Sequence, residues 1–252
     1  MSVDGCGFEF SPFRVSIIMK KFLKTVREVL FPNDLTCDLC GRETFGTNIC
    51  KDCIKTLVFN NGATCPICGR KTVRPELCAE CKYSPPSFKK AVSALVYDGG
   101  AVMLINKFKS GRAHLKEYFA DKICEKLNPD EYDCVVSVPL NRKTAKKRGF
   151  NQSELLARAV SERLKVPYLK GALIKIKDTD AQKALSQKER RENLKGCFEV
   201  VKREDVACKR VLVADDVLTT GATADEITKT LIKAGAAVVC VATVASVEYK
   251  KS

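Results

Sequence analysis

The 252-residue chain predicts an α/β protein in which a parallel sheet is flanked by helices and preceded by a small cysteine-rich domain. Three observations lead there. Apolar strand-like runs alternate with stretches of helical spacing after residue 88; one of those runs ends in paired carboxylates and a hydroxyl-rich turn; and cysteines repeat at fixed spacing before residue 82.

The chain divides into residues 1–33, 34–84 and 88–252. In the first segment, Met19 reads as a natural start, with residues 1–18 an extension or a misplaced start, and the run from Met19 to Pro32 carries a basic amphipathic helix. Phe22, Val26, Val29 and Leu30 share one face of that helix, with Lys20, Lys24 and Arg27 elsewhere. Docking on the protein's own core is the ordinary role for such a helix, and binding to a membrane surface is the alternative.

The second segment carries Cys37, Cys40, Cys50 and Cys53, then Cys65, Cys68, Cys78 and Cys81, the same pattern shifted by 28 residues. Each Cys-x-x-Cys turn aims two sulfurs at one point, and two turns complete a tetrahedral thiolate cage for zinc. The flanks repeat too, as Cys37-Asp-Leu-Cys40-Gly41-Arg42 and Cys65-Pro-Ile-Cys68-Gly69-Arg70. Two structural zinc ribbons follow, and four thiolates per ion leave no open position for catalysis. One ion per repeat is the simpler pairing; cross-bracing between repeats is the other. Disulfides are the competing chemistry, but no secretory feature accompanies these cysteines, which places the chain in the cytoplasm. Cys6, Cys124, Cys134, Cys197, Cys208 and Cys240 lack metal spacing and read as small apolar residues or reduced thiols.

The segment Tyr83-Ser-Pro-Pro-Ser-Phe88 reads as a linker. Beyond it, residues 91–97 and 133–138 have strand character, and residues 101–108 and 115–127 have helical apolar spacing. A basic loop, 139–152, leads to a helix over 153–164, and a polar, charged stretch, 175–195, reads as a flap over a ligand site. Residues 211–214 form a strand buried on both faces, which presents a ligand at its carboxyl end.

Asp215 and Asp216 follow at that end, where two acceptor-only groups suit ribose hydroxyls and a hydrated magnesium ion. Thr219, Thr220, Gly221, Ala222 and Thr223 then offer backbone N–H groups and hydroxyls to an anion. Thr223 and Glu226 have capping-box spacing, so the helix begins there, and Gly235 stops it before a strand over 237–247.

Residues 211–223, Val-Leu-Val-Ala-Asp-Asp-Val-Leu-Thr-Thr-Gly-Ala-Thr, resemble the phosphoribosyl pyrophosphate (PRPP) signature of type I phosphoribosyltransferases. Arg148-Gly-Phe-Asn-Gln152, Glu154-Leu-Leu-Ala-Arg158, Lys107-Phe108-Lys109 and Gln182 to Asn193, ending in Gly196-Cys-Phe198, narrow the likeness. Together with the cysteine-rich ribbon they resemble the ComF family, phosphoribosyltransferase-like proteins of bacterial competence, over roughly residues 20–248. The second complete cysteine tetrad departs from some relatives.

The resemblance implies a type I phosphoribosyltransferase-like sheet and a site for PRPP or a related ribose phosphate, with magnesium. Asp215 and Asp216 would be the catalytic acids, the turn 219–223 the 5′-phosphate site, and Leu140, Asn141 and Arg142 the pyrophosphate loop. It also implies single-stranded DNA and the DNA-uptake ATPase as partners. Lys143, Lys146, Lys147, Arg148, Arg190 and Arg191 are the candidate nucleic-acid contacts, and Gln182, Ser186 and Asn193 can add hydrogen bonds. An active transferase with an unassigned acceptor is the alternative, since no segment stands out as a nucleobase hood.

A net charge of +14 fits an anionic partner, nucleic acid foremost. With no Trp and 7% aromatic residues, phosphate contacts should outweigh base stacking. No stretch approaches a transmembrane helix, so stable membrane insertion is excluded. His114, the single histidine, has no evident catalytic partner in the sequence and reads as an ordinary surface or packing residue.

Overall fold

The computed structural model describes residues 36–44, 46–177 and 187–248, without the side chains at 142, 143, 147, 187, 188 and 190. The expected amphipathic helix between Met19 and Pro32 and the central part of the flap, with Gln182 and Ser186, lie outside the described residues. The chain falls into two compact units, one ending at Cys50 and one beginning at Lys51.

The first unit carries a tight knuckle: Gly41 N–H donates to the Cys37 carbonyl at 2.8 Å and Cys37 N–H to the Arg42 carbonyl at 2.7 Å. In the second unit, helix α1 (Lys51–Lys55) is followed by the same knuckle, with Gly69 N–H on the Cys65 carbonyl and Cys65 N–H on the Arg70 carbonyl, both at 2.9 Å. Helix α2 (Ala79–Tyr83) carries the last cysteine of the repeat.

The main sheet has four parallel strands in the order β1 (Lys90–Val96), β6 (Val238–Ser246), β5 (Arg210–Leu218), β2 (Cys134–Ser137). Between β1 and β2 run α3 (Gly99–Lys109) and α4 (Leu115–Cys124); between β2 and β5 run α5 (Arg142–Arg148), α6 (Gln152–Leu164), the strand β3 (Leu173–Lys175), α7 (Gln187–Leu194) and β4 (Phe198–Val200). Strands β3 and β4 pair antiparallel, and α8 (Ala222–Lys233) joins β5 to β6. The parallel sheet predicted from alternating elements is therefore present, because strands such as Val211, Leu212, Val213 and Ala214 are buried on both faces.

Apolar packing fixes the second ribbon to this sheet. Its four cysteines belong to one buried cluster with Phe88, Ala91, Val213, Val241, Ile227 and Leu231. The outer edge of β1 is covered by the same region: Phe59 bridges Leu95, Asn60 N–H donates to the Ala94 carbonyl, Val96 N–H to the Val58 carbonyl, and Ala91 N–H to the Ile67 carbonyl. Gly69 approaches β1 so closely that a side chain there would meet the Ala91 carbonyl.

Three expectations change. Residues 142–148 are helix α5 rather than a loop: the Asn141 carboxamide oxygen accepts from Thr144 N–H at its start, the run lacks Gly and Pro, and Gly149 with φ +75° closes it. The strand carrying the acids continues to Leu218 instead of stopping at Ala214, because β6 pairs with it along its whole length while β2 ends opposite Ala214. No capping box forms; α8 is capped by Gly221 at φ +76°, and the Glu226 carboxylate accepts from Gly196 N–H at 2.7 Å.

Candidate phosphate-loop site and metal centres

The cysteines gather as two separate groups, Cys37, Cys40, Cys50 and Cys53, and Cys65, Cys68, Cys78 and Cys81, with each group's sulfurs within 4.8 Å of one another. Pairing is therefore within repeats. Cys40 Sγ lies 3.8 Å from Cys50 Sγ, and Cys68 Sγ 3.7 Å from Cys78 Sγ. A tetrahedral zinc with Zn–S near ~2.3 Å has sulfur–sulfur edges of about 3.8 Å, so the spacing fits that ion.

The knuckles also tune the thiols. Burial pushes Cys65 up, but backbone N–H groups of Cys78, Cys68 and Ile67 outweigh it and bring the thiol down to about 7. Cys37 is lowered in the same way against burial, by the backbone of Cys40, Cys50 and Leu39. Burial, then the neighbouring sulfurs, push Cys68 up, and Cys81 rises to about 12 chiefly through burial. Four thiolates this close are tolerable only around a cation, which a zinc ion supplies. Two cysteines outside the clusters differ: burial raises Cys124 and Cys134 to about 11, as for inert packing thiols.

The second centre lies at the carboxyl edge of the sheet. Strand alternation sends Asp215 and Asp216 to opposite faces. Asp216 is buried; its carboxylate accepts from Gln152 Nε2 at 3.2 Å and pairs with Lys109 Nζ at 2.8 Å. Gln152 is held in turn by Arg148, whose Nη1 donates to its Oε1 at 2.9 Å. Asp215 accepts from Ser153 Oγ at 2.8 Å. The amino end of α6 is aimed here because Asn151 caps it, accepting from Ser153 N–H at 3.0 Å, and is anchored just past the end of β2 by donating to the Val138 carbonyl at 3.0 Å.

The turn after β5 completes the site. Asp215, Thr219, Gly221 and Thr223 line one small cleft with Val138 and Thr243. The first N–H groups of α8 have no carbonyl within the helix to bond, and its dipole favours an anion beside them. Thr220 Oγ1 accepts from Ala222 N–H at 3.3 Å, bracing the turn from within.

Family models match this chain in two places: a double zinc ribbon domain over residues 26–82 and a phosphoribosyl transferase domain over residues 151–252. Competence protein F of Haemophilus influenzae is 39% identical over 104 residues, covering 41% of this chain and 45% of that protein. The chain thus spans under half of that relative's length. DNA utilization protein YhgH of Escherichia coli O157:H7 is 31% identical over 166 residues, covering 62% of this chain and 71% of that protein. The chain belongs to the competence protein F family. Its reach extends to Competence protein ComFC of Bacillus subtilis, 25% identical over 201 residues, 80% of this chain and 73% of that one.

Within this family member, the hallmark Arg148-Gly-Phe-Asn-Gln152 has a structural account: it ends α5, caps α6 and delivers Gln152 to Asp216. Arg148, expected as a nucleic-acid contact, is engaged in that chain of bonds. Lys146 is exposed, and the side chains of Arg142, Lys143, Lys147 and Arg190 lie outside the description. Arg191 donates to Ser84 Oγ at 2.8 Å. Leu140 and Asn141 are half-exposed in the segment joining β2 to α5.

Sequence reasoning assigned no role to Lys109, whose partner is 107 positions away (216 − 109) and whose only signal was a Lys-Phe-Lys run at a helix end. Arg70, too, was noted only as part of a repeat.

Burial and the adjacent Asp216 carboxylate push Asp215 up to about 7, against the hydrogen bond from Ser153. The folded chain therefore holds a proton that the unfolded chain, with its value near 3.8, has released. The stability this confers is full below about pH 4 and is lost as pH rises through about 7. Asp215→Asn keeps an acceptor for Ser153 and removes the charge. In urea titrations it should match the parent near pH 3.5 and exceed it at pH 8 by about 1–3 kcal/mol.

Proposed function

We propose that this chain is a cytoplasmic competence protein that binds PRPP or a related ribose phosphate at the turn 219–223 and handles single-stranded DNA during uptake, with the DNA-uptake ATPase as partner. The observation that carries the reading is the cleft in which Asp215, Thr219, Gly221 and Thr223 meet at the amino end of α8. The names borne by the relatives, competence and DNA utilization, support the second half. Among the described residues no helix is long and apolar enough to cross a membrane.

Magnesium belongs in this reading to the substrate, carried by its diphosphate. Asp216 already faces the Lys109 ammonium, so the two acids do not present a paired cage for a bare cation.

A phosphoribosyltransferase is the second reading, favoured by Asp215, which burial and Asp216 hold near neutrality where a carboxylate can take an acceptor's proton. In that reaction the bond from C1 to pyrophosphate breaks and one from the acceptor to C1 forms. Pyrophosphate release from magnesium-PRPP, tested with a panel of bases and with single-stranded DNA, separates the readings. Base-stimulated release abolished by Asp215→Asn establishes the transferase, whereas binding without release leaves the competence reading.

For DNA, helix α5 brings positions 143, 146 and 147 onto one face by spacing. Replacing Lys143, Lys146 and Lys147 together by Gln should reduce the slope of log affinity against log salt by about 2 on a single-stranded oligonucleotide. An unchanged slope would remove this helix from the DNA path.

A further inference from the structure

The two ribbons repeat in sequence but use equivalent arginines differently. Arg42 turns toward its own cluster, its Nε 3.4 Å from Cys40 Sγ and its Nη2 4.0 Å from Cys50 Sγ. Arg70, only 4% exposed, instead forms an ion pair with Glu80 and donates from Nη2 to the Thr219 carbonyl at 2.6 Å. Thr219 opens the turn after β5.

Both members of that pair are fixed by the thiolate cage. Arg70 lies two residues after Cys68, and Glu80 sits between Cys78 and Cys81. A second tie reaches the other end of the turn, where Ser87 N–H donates to Asp225 Oδ1 at 2.6 Å in the first turn of α8. Arg70, Glu80, Cys68, Thr220, Gly221 and Asp225 line one cleft between the ribbon and the turn.

We propose that Arg70 is the positioning residue of the phosphate loop: it holds the Thr219 carbonyl back against the second ribbon, so that the N–H groups of the turn face the ligand. This rests on the ribose-phosphate reading of the turn. Glu80 orients and neutralises the guanidinium; lysine cannot replace it, because two directions must be satisfied from one planar group. Coupling is then reciprocal, and a phosphate ligand at the turn also steadies the second ribbon.

The test compares Arg70→Ala, Arg70→Lys and the milder Glu80→Gln in the full chain, each first shown to retain two zinc ions. Hydrogen exchange of the peptide spanning 219–223 is measured without ligand, and ribose 5-phosphate binding by calorimetry. Arg70→Ala should speed exchange in the turn about tenfold and weaken ribose 5-phosphate about tenfold, with Lys barely rescuing, added guanidinium ion partly restoring both, and Glu80→Gln falling between. Unchanged exchange in the turn overturns the proposal, whatever the binding result. A parent protein that orders its turn through Arg70 yet has no affinity for ribose 5-phosphate sinks the ribose-phosphate reading alone. Should Arg70→Ala not fold, parent-like exchange in Glu80→Gln and Arg70→Lys overturns the positioning role equally well.

Discussion

Cys68→Ser should lower the stability of the larger unit by at least ~3 kcal/mol and reduce bound zinc from two ions to one. The expectation follows from where the four sulfurs lie. All of Cys65, Cys68, Cys78 and Cys81 are buried, and they share an apolar cluster with Phe88, Ala91, Ile227 and Leu231. A cage missing one thiolate holds zinc poorly, and three sulfurs left in that setting must protonate or stay charged without a counter-ion. Either route loosens residues 65–81 together with their contacts to β1. Urea titration monitored by circular dichroism, with elemental analysis on the same sample, measures both effects. Cys208→Ser serves as the comparison, since Cys208 is exposed and outside both clusters, and should move stability by no more than ~0.5 kcal/mol.

Gly69→Ala should cost about 3 kcal/mol or more, a large effect for one methyl group. Two penalties combine. The residue holds φ +66°, where an alanine is strained, and its Cβ would sit 2.3 Å from the Ala91 carbonyl oxygen. The obstacle is backbone of a paired strand, so the ribbon itself has to move. That motion would break the Asn60 Nδ2 bond to the Gly69 carbonyl, 2.7 Å long, and drag Arg70 from Thr219. Gly171 has φ +71° with nothing within 4 Å of the same construction, so Gly171→Ala isolates the conformational penalty at about 1 kcal/mol. Equal losses from the two substitutions would show that the ribbon is not clamped to β1.

Local patterns carried much of this fold. The buried run at residues 211–214, the apolar faces of α3 and α4, and the doubled cysteine spacing each identify an element from its own residues. What escaped reading depends on partners far along the chain. The strand bearing Asp215 continues to Leu218 only because β6 pairs with it there, and the capping box fails because Gly196 takes Glu226. The basic stretch at 142–148 reads as a loop by its charge, whereas its helix-forming composition and its Asn141 and Gly149 boundaries make it a helix. In the candidate site, Asp215 and the turn were visible as a motif, whereas Lys109 and Arg70 reach it across 107 and 149 positions respectively. Nothing in their local spacing distinguishes them from other cations.

The covering of β1 has a consequence for the fate of the chain in a metal-poor or oxidising environment. Residues 58–60 and Ile67 take up backbone groups of Ala91, Ala94 and Val96 along the outer edge of the sheet, which leaves the strand less ladder to offer another molecule. Emptying the second cage should loosen that cover before the sheet, baring an apolar edge strand, Ala-Val-Ser-Ala-Leu-Val, to its neighbours. On this account zinc guards solubility as well as shape, and light scattering of a chelator-treated sample should rise through edge-to-edge aggregation.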